Sequence, residues 1–266
     1  MTQTDARPLA VVTGASSGIG LELAKQFARN GFDLLVVAED EAINGAATEL
    51  ESYGVAVQGS QIDLATYEGV EHLYTLVSAA GRPVDAIALN AGVGAGGGFV
   101  GGTELQDELQ VIDLNVKSVV HLAKRVLPDM VRRGEGRVLF TSSIASTMPG
   151  PYHAVYNASK SFVQSFAEAI RYELKDTGVT VTALMPGVTD TEFFERADME
   201  DTKAGAGSKD DPAQVAEQGF KALMAGDEKV VAGSFKNKVQ AKLGAVTPDS
   251  AKAAMAAKLQ EPGGAN

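Results

Sequence analysis

The 266-residue chain contains no cysteine. That excludes a disulfide framework and any thiolate metal site. Histidine is scarce as well: His72, His121 and His153 stand far apart, so no metal cage is expected. Cations are outnumbered, with 23 lysines and arginines against 34 acidic residues and a formal net charge of −11. Such a chain does not suit a nucleic acid, whose phosphate backbone needs a cationic partner. Long apolar runs are missing too. The polar start MTQTDARP leads directly into a short strand, so neither a signal peptide nor a membrane span is expected, and a cytoplasmic address is the default.

What is present is a globular composition, 45% hydrophobic and 21% charged, in a chain long enough for one substantial core. Short β-rich runs recur: LAVVT (9–13), DLLVVA (33–38), VAVQ (55–58), DAIALN (85–90), RVLFTS (137–142), VTVTALMP (179–186) and KVVAG (229–233). Several are nearly all apolar, as strands covered on both faces must be. Helical periodicity fills most of the gaps, for example Val155, Phe162, Phe166, Ile170 and Leu174, ended by Gly178. The alternation predicts an α/β fold, a single doubly wound, Rossmann-like parallel sheet of about seven strands with helices on both faces. The expected organisation is an N-terminal tail (1–7), one domain (8–232) and a C-terminal helical extension (233–266). Two stretches fit less well. GVGAGGGFVGG (92–102) reads as a pliable loop past a strand end, too glycine-rich to pack. The acidic stretch 192–211 reads either as a mobile lid or as a surface excursion.

The first strand runs into TGASSGIG (13–20) and then a helical pattern. Gly14, Gly18 and Gly20 allow a sharp turn and close approach of a ligand. The helix that follows aims its free amides and positive dipole end at the turn, which suits a pyrophosphate. The spacing is neither the common Gly-x-Gly-x-x-Gly fingerprint nor a Walker loop.

Tyr156 and Lys160 stand one helical turn apart in VYNASKSFV (155–163). With six tyrosines in the chain, roughly 0.3 such pairs arise by chance, so the spacing alone means little. Chemically it means more. A nearby ammonium favours the phenolate, a phenol near a helix start gains from the dipole, and a phenol so lowered serves as a general acid/base. Thr141, Ser142, Ser143, Ser146 and Thr147 crowd the turn after RVLFTS, at the carboxyl edge where open α/β sheets bind ligands. Any of them could bond a reacting oxygen. Asn115 interrupts apolar periodicity that runs from about 104 to 133. Asparagine is a poor interior helix residue, so a break or kink is expected there.

These motifs, in order, resemble the short-chain dehydrogenases/reductases over about residues 8–232. TGASSGIG is similar to that family's cofactor loop, DL (63–64) to its adenine contact, and NAG (90–92) to the end of its fourth strand. DLNVKS (113–118), SS (142–143), Tyr156-x-x-x-Lys160 and PGVTDT (186–191) complete the set. The resemblance implies an oxidoreductase that moves hydride between a nicotinamide cofactor and a carbonyl or alcohol. It selects Ser143 among the hydroxyls and implies a catalytic set of Asn115, Ser143, Tyr156 and Lys160, with Asn115 holding a relay water and Lys160 also bonding the nicotinamide ribose. It implies cofactor contacts from Gly14, Ser16, Ser17, Gly18, Ile19, Gly20, Asp63, Leu64, Asn90, Ala91, Gly92, Pro186, Gly187, Val188 and Thr191. It also implies a homodimer or homotetramer joined through the helices bearing Asn115 and Tyr156.

Glu39 and Asp40 lie about 20 residues past the glycine turn, where an acid can bond the adenosine ribose. Neither Ser17 nor Glu39 is basic, so NAD(H) is favoured, with NADP(H) open. Against NAD(H), the family's usual aspartate position holds Ala38. The expected substrate is a small neutral carbonyl or alcohol, because the segments expected to wall the pocket are rich in Gly, Ala, Pro, Phe and Met. His153 reads as a surface-loop residue, with reach into the pocket as the alternative. Residues 230–266 carry five lysines against Asp249 and Glu261. They include a stripe of Phe235, Val239, Leu243 and Val246, expected either to fold back onto the domain or to meet a lipid or partner, with EPGGAN frayed at the end. The rival function is a dinucleotide-sensing protein on the same fold, without catalysis.

Overall fold

A computed structural model describes residues 7–234, 237 and 247–265. Seven strands form one parallel sheet in the order β3-β2-β1-β4-β5-β6-β7. They are β1 (Leu9–Thr13), β2 (Asp33–Ala38), β3 (Val57–Gln61), β4 (Ala86–Leu89), β5 (Gly136–Thr141), β6 (Val179–Pro186) and β7 (Lys229–Ala232). The helices are α1 (Gly18–Arg29), α2 (Ala42–Glu51), α3 (Tyr67–Ala79), α4 (Leu105–Ile112), α5 (Ser118–Arg133), α6 (Ala154–Glu173), α7 (Phe193–Arg196), α8 (Lys203–Ala206), α9 (Pro212–Ala225) and α10 (Asp249–Gln260).

Every residue of β1 and β2 is buried, because both faces of the sheet are covered. Alternate strand residues feed two cores. Leu9 and Val11 join Leu73, Leu122, Val126 and Val163 on one face; Ala10 and Val12 join Leu23, Phe27, Leu50 and Phe220 on the other. Strand order reverses direction between β1 and β4, and there the carboxyl ends of the strands open a crevice.

Four expectations need correction. The third strand starts at Val57 rather than Val55, because the Ala56 amide donates to the Asp33 carboxylate ahead of the ladder. On α6, Phe162 is 40% exposed, and the face that packs inward carries Lys160, Val163 and Ala167. The stretch at 92–102 is a loop past β4, as expected, with Phe99 and Val100 exposed at its tip, but its first half packs. Gly96 donates to the Ala197 carbonyl and Gly97 to that of Tyr152, and the missing side chains leave room for His153, Phe193 and Met199. The segment 261–265 of the expected frayed end is not loose, since the amides of Gly263 and Ala265 donate to Asp201.

The stripe Phe235, Val239, Leu243 and Val246 lies outside the described residues. Helix α10, just beyond, folds back against α8. No helix among the described residues is long and apolar enough to cross a membrane.

Candidate active site

The crevice continues into one cleft running from the glycine turn, past the ends of β4 and β5, to the first turn of α6. Its floor is locked by side chains on three strand ends. The Thr13 hydroxyl accepts from the Asn90 and Ala91 amides, at 2.9 and 3.0 Å. Asn90 in turn donates to the Thr13 carbonyl at 3.1 Å and accepts from the Thr141 hydroxyl at 3.0 Å. Asn90 thus spends its amide on the floor.

The cleft fits a dinucleotide. At one end a Cβ on Gly20 would overlap the Gly14 carbonyl, and one on Gly18 would meet Thr191 at 2.8 Å, so the turn presents backbone alone at the N-terminus of α1. Ser16, Ser17, Ile19, Glu39, Asp63 and Leu64 line that end. At the other end stand Gly92, Pro186, Gly187 and Val188, with Ser143, Tyr156 and Lys160, while Ala91 and Thr191 lie against Gly14 and Gly18. Asp40 is engaged: it accepts from the Ser16 hydroxyl at 2.9 Å and from the Ala42 amide. Among the described residues the exposed Glu39 carboxylate has no partner. No group of three or more carboxylates and histidines among the described residues is placed to hold a metal.

Ser143, two residues past β5, accepts from the Ala145 amide at 3.1 Å and donates to the Pro186 carbonyl at 3.4 Å, and its hydroxyl lines the cleft with Tyr156. Lys160 lies below, its ammonium 5.7 Å from the centre of the Tyr156 ring and donating to the Thr141 carbonyl at 3.0 Å. The expected depression of the phenol pKa is overturned. Burial pushes Tyr156 up to about 12, against a small pull from Ser143, and pushes Lys160 down to about 8. In a dry site the loss of hydration outweighs an ammonium that faces the ring and already holds a carbonyl. The phenol is therefore protonated at neutral pH, ready to give a proton to a carbonyl oxygen.

The break at Asn115 is a π turn (Asp113–Lys117) between α4 and α5. Its side chain is 1% exposed and lies behind the cleft rather than lining it. Its oxygen accepts from the Val93 amide at 2.9 Å, and its nitrogen donates to the Val93 carbonyl and the Ser159 hydroxyl. Ser159, unremarked in the sequence, donates on to the Tyr156 carbonyl at 2.7 Å. Its only signal is the place within the turn that joins Tyr156 to Lys160.

His153 belongs to the site, not to an open surface. It is 3% exposed, lines the cleft, and stacks on Tyr156 with ring centres 4.3 Å apart. Burial drives its pKa down to about 3, so the ring is neutral. The stretch at 192–211 covers the cleft, with Phe193, Phe194, Met199 and Ala204 among the lining. Phe194, Ala197 and Met199 form its own small core, while Phe193 reaches down to 5.1 Å from Tyr156. Ala256, Leu259 and Gln260 of α10 complete the roof, a contribution that sequence patterning did not mark.

The profile of the short chain dehydrogenase family matches residues 8–202. Sulfoacetaldehyde reductase 2 of Chromohalobacter salexigens is 34% identical over 187 residues, covering 70% of this chain and 74% of that one. A short-chain dehydrogenase from Sphingobium yanoikuyae, solved in complex with NADPH, has a TM-score of 0.78 at 28% identity, covering 84% of this chain and 87% of the other. One from Burkholderia phymatum, solved in complex with NAD, has a TM-score of 0.77 at 26% identity, covering 87% and 90%. Likeness of profile, sequence and fold thus spans the same strands that build the cleft, and the chain belongs to the short-chain dehydrogenases as an NAD(P)-dependent oxidoreductase.

Proposed function

We propose that the enzyme transfers hydride reversibly between NAD(H) and a small neutral carbonyl/alcohol pair, with Tyr156 as general acid/base. The observation that carries this is that Ser143, Tyr156 and Lys160, with the Lys160 ammonium 5.7 Å from the Tyr156 ring, line one cleft continuous with the glycine turn. The nicotinamide supplies or accepts the hydride. Tyr156 gives the proton to the carbonyl oxygen or takes it from the alcohol, and the Ser143 hydroxyl bonds that oxygen as charge develops. Lys160 holds the ribose and carries charge beneath the phenol. Asn115 acts as a positioning residue through Val93 and Ser159.

The walls at the substrate end, among them Met148, Phe193, Met199 and Leu259, are apolar, which supports a neutral substrate. The preference for NAD(H) rests on Glu39, an acid at the adenosine end with no basic residue at position 17 or 39. A homodimer or homotetramer is supported by Leu105, Leu109 and Ile112 on α4 and Phe162 on α6, all exposed in the monomer.

Tyr156→Phe tests the reading. Turnover should fall by about 100-fold or more, while NADH quenching or transfer fluorescence gives a dissociation constant within twofold of wild type. A sensing protein would instead keep its function with the phenylalanine. Parallel titration with NADPH checks the cofactor: NADH should bind about tenfold tighter, a difference of ~1.4 kcal/mol. Tighter NADPH would remove Glu39 from the argument.

A further inference from the structure

The cleft is acidic where phosphate must enter. Glu39, Asp40, Asp63 and Glu192 line it, against two cations, Lys160 and Arg196. Lys160 is buried at the far end on the Thr141 carbonyl. That leaves Arg196, on the lid helix α7, as the one cation among the described lining residues that stands over the glycine-turn end.

It is held there by a ring of polar contacts. The Arg196 guanidinium lies 2.6 Å from Glu192 and 3.7 Å from Asp40. The Ser16 hydroxyl donates to Asp40 at 2.9 Å, and that of Ser17 donates to Glu192 at 3.3 Å. The lid is thereby tied across the turn that the cofactor phosphates must approach. Every donor in the ring, two hydroxyls and a guanidinium, is one that a phosphate oxygen accepts from well, and a planar guanidinium matches phosphate geometry. The ion pairs are exposed ones, with Arg196 at 46%, Glu192 at 54% and Asp40 at 31%, so exchanging carboxylate for phosphate is cheap.

We propose that Arg196 is a phosphate ligand carried by the lid: its guanidinium leaves Asp40 and Glu192 for a phosphate of the bound dinucleotide. The proposal rests on the NAD(P) reading above and adds a consequence. Phe193, three residues earlier on the same short helix, sits 5.1 Å from Tyr156 and 6.0 Å from His153. One short helix thus stands over both ends of the cleft, so anchoring Arg196 on phosphate holds Phe193 at the reacting phenol.

Probes that lack nicotinamide locate the phosphate. ADP-ribose, 2′-phospho-ADP-ribose and adenosine would be titrated calorimetrically into wild type, Arg196→Gln and Glu192→Gln. Arg196→Gln should weaken a phosphate-bearing probe tenfold or more and adenosine by less than twofold. Equal losses on both phosphorylated probes assign the pyrophosphate; a loss confined to 2′-phospho-ADP-ribose assigns the 2′-phosphate. Glu192→Gln, which frees the guanidinium, should tighten the same probe severalfold, an effect in the opposite direction that misfolding cannot imitate. In limited proteolysis, ADP-ribose should protect residues 192–211 in wild type and not in Arg196→Gln. Affinities unchanged within twofold across all three proteins overturn the proposal. If wild type binds none of the probes, the dinucleotide reading itself falls.

Discussion

The floor and the roof of the cleft are both built around glycines, and Gly14 and Gly20 in the floor meet different neighbours from Gly94 in the roof. On the floor, a Cβ at Gly14 would come within 2.8 Å of the Ala91 Cα, and one at Gly20 would overlap the Gly14 carbonyl. Backbone tied down just past the strand ends cannot move aside. In the roof, a Cβ at Gly94 would meet two side-chain tips, His153 Nε2 and Phe193 Cζ, each at 2.7 Å. Among the described residues, the two with positive φ other than glycine, Tyr152 and Asp198, also belong to the roof. The floor is thus fixed by hydrogen bonding along strand ends, while at Gly94 the roof is closed by fitted side chains, on connections that bear strain. An enzyme that must place a phenol accurately yet admit a substrate has use for that division.

The sharpest way to break the comparison is to put the same methyl group in both places. Gly20→Ala should remove NADH binding and lower stability by about 3 kcal/mol or more, because backbone must shift. Gly94→Ala should cost about 1 kcal/mol, leave NADH affinity within twofold, and raise KM severalfold as Phe193 and His153 adjust. Denaturant unfolding with NADH titration checks both. Equal losses at the two sites would mean that the roof is as unyielding as the floor.

Two buried bases sharpen the contrast further, and they act at opposite ends of the pH scale. His153 in the roof has a folded pKa depressed from 6.5 to about 3. Between those values the unfolded chain binds a proton that the folded chain refuses, so stability falls as pH drops below 6.5. At pH 4 that loss reaches ~3 kcal/mol, at 1.36 kcal/mol per unit. His153→Phe, which keeps a ring against Tyr156, should erase this acid slope. Lys160 in the floor is depressed from 10.5 to about 8. Its burden is full below pH 8 and absent above 10.5, so Lys160→Met should gain ~2 kcal/mol at pH 7, less than the shift alone because Thr141 loses its donor. The gain should vanish by pH 11. Unfolding curves at pH 4, 7 and 11 decide both, and an unchanged acid slope in His153→Phe would return that residue to the surface.

The same division governs how much the sequence revealed. Strand ends, the glycine turn and the Tyr156–Lys160 pair are set by local rules: period-two burial, glycine backbone freedom and one helical turn of spacing. Six of the seven strand runs fall within a residue of their observed places at the ends that face the site. Asn115 announced a break by its poor helix propensity, though not that the break is a π turn or that the side chain would be consumed by Val93 and Ser159. His153, Met199 and α10 were illegible as site residues because their places depend on contacts across long stretches of chain. The phenol pKa was misjudged for a related reason: spacing reports the ammonium, but only packing reports the water that is excluded.

The smallest effect concerns the last latch of the roof. Asp201 in the lid accepts from the Gly263 amide through its carboxylate at 2.7 Å and from Ala265 through its carbonyl at 3.0 Å. These hydrogen bonds hold the segment after α10, whose Ala256 and Leu259 wall the substrate end. Asp201→Ala removes only the first, an exposed hydrogen bond to a charged group, so global stability should change by less than ~1 kcal/mol. The local consequence should be larger than the global one. Protease cleavage beyond Gln260 should quicken, KM for a carbonyl substrate should rise about two- to threefold, and NADH affinity should not move, because the floor is untouched. If NADH affinity fell along with the substrate's, strap and floor would be coupled, and the division between rigid floor and fitted roof would have to be redrawn at the lid rather than at the strand ends.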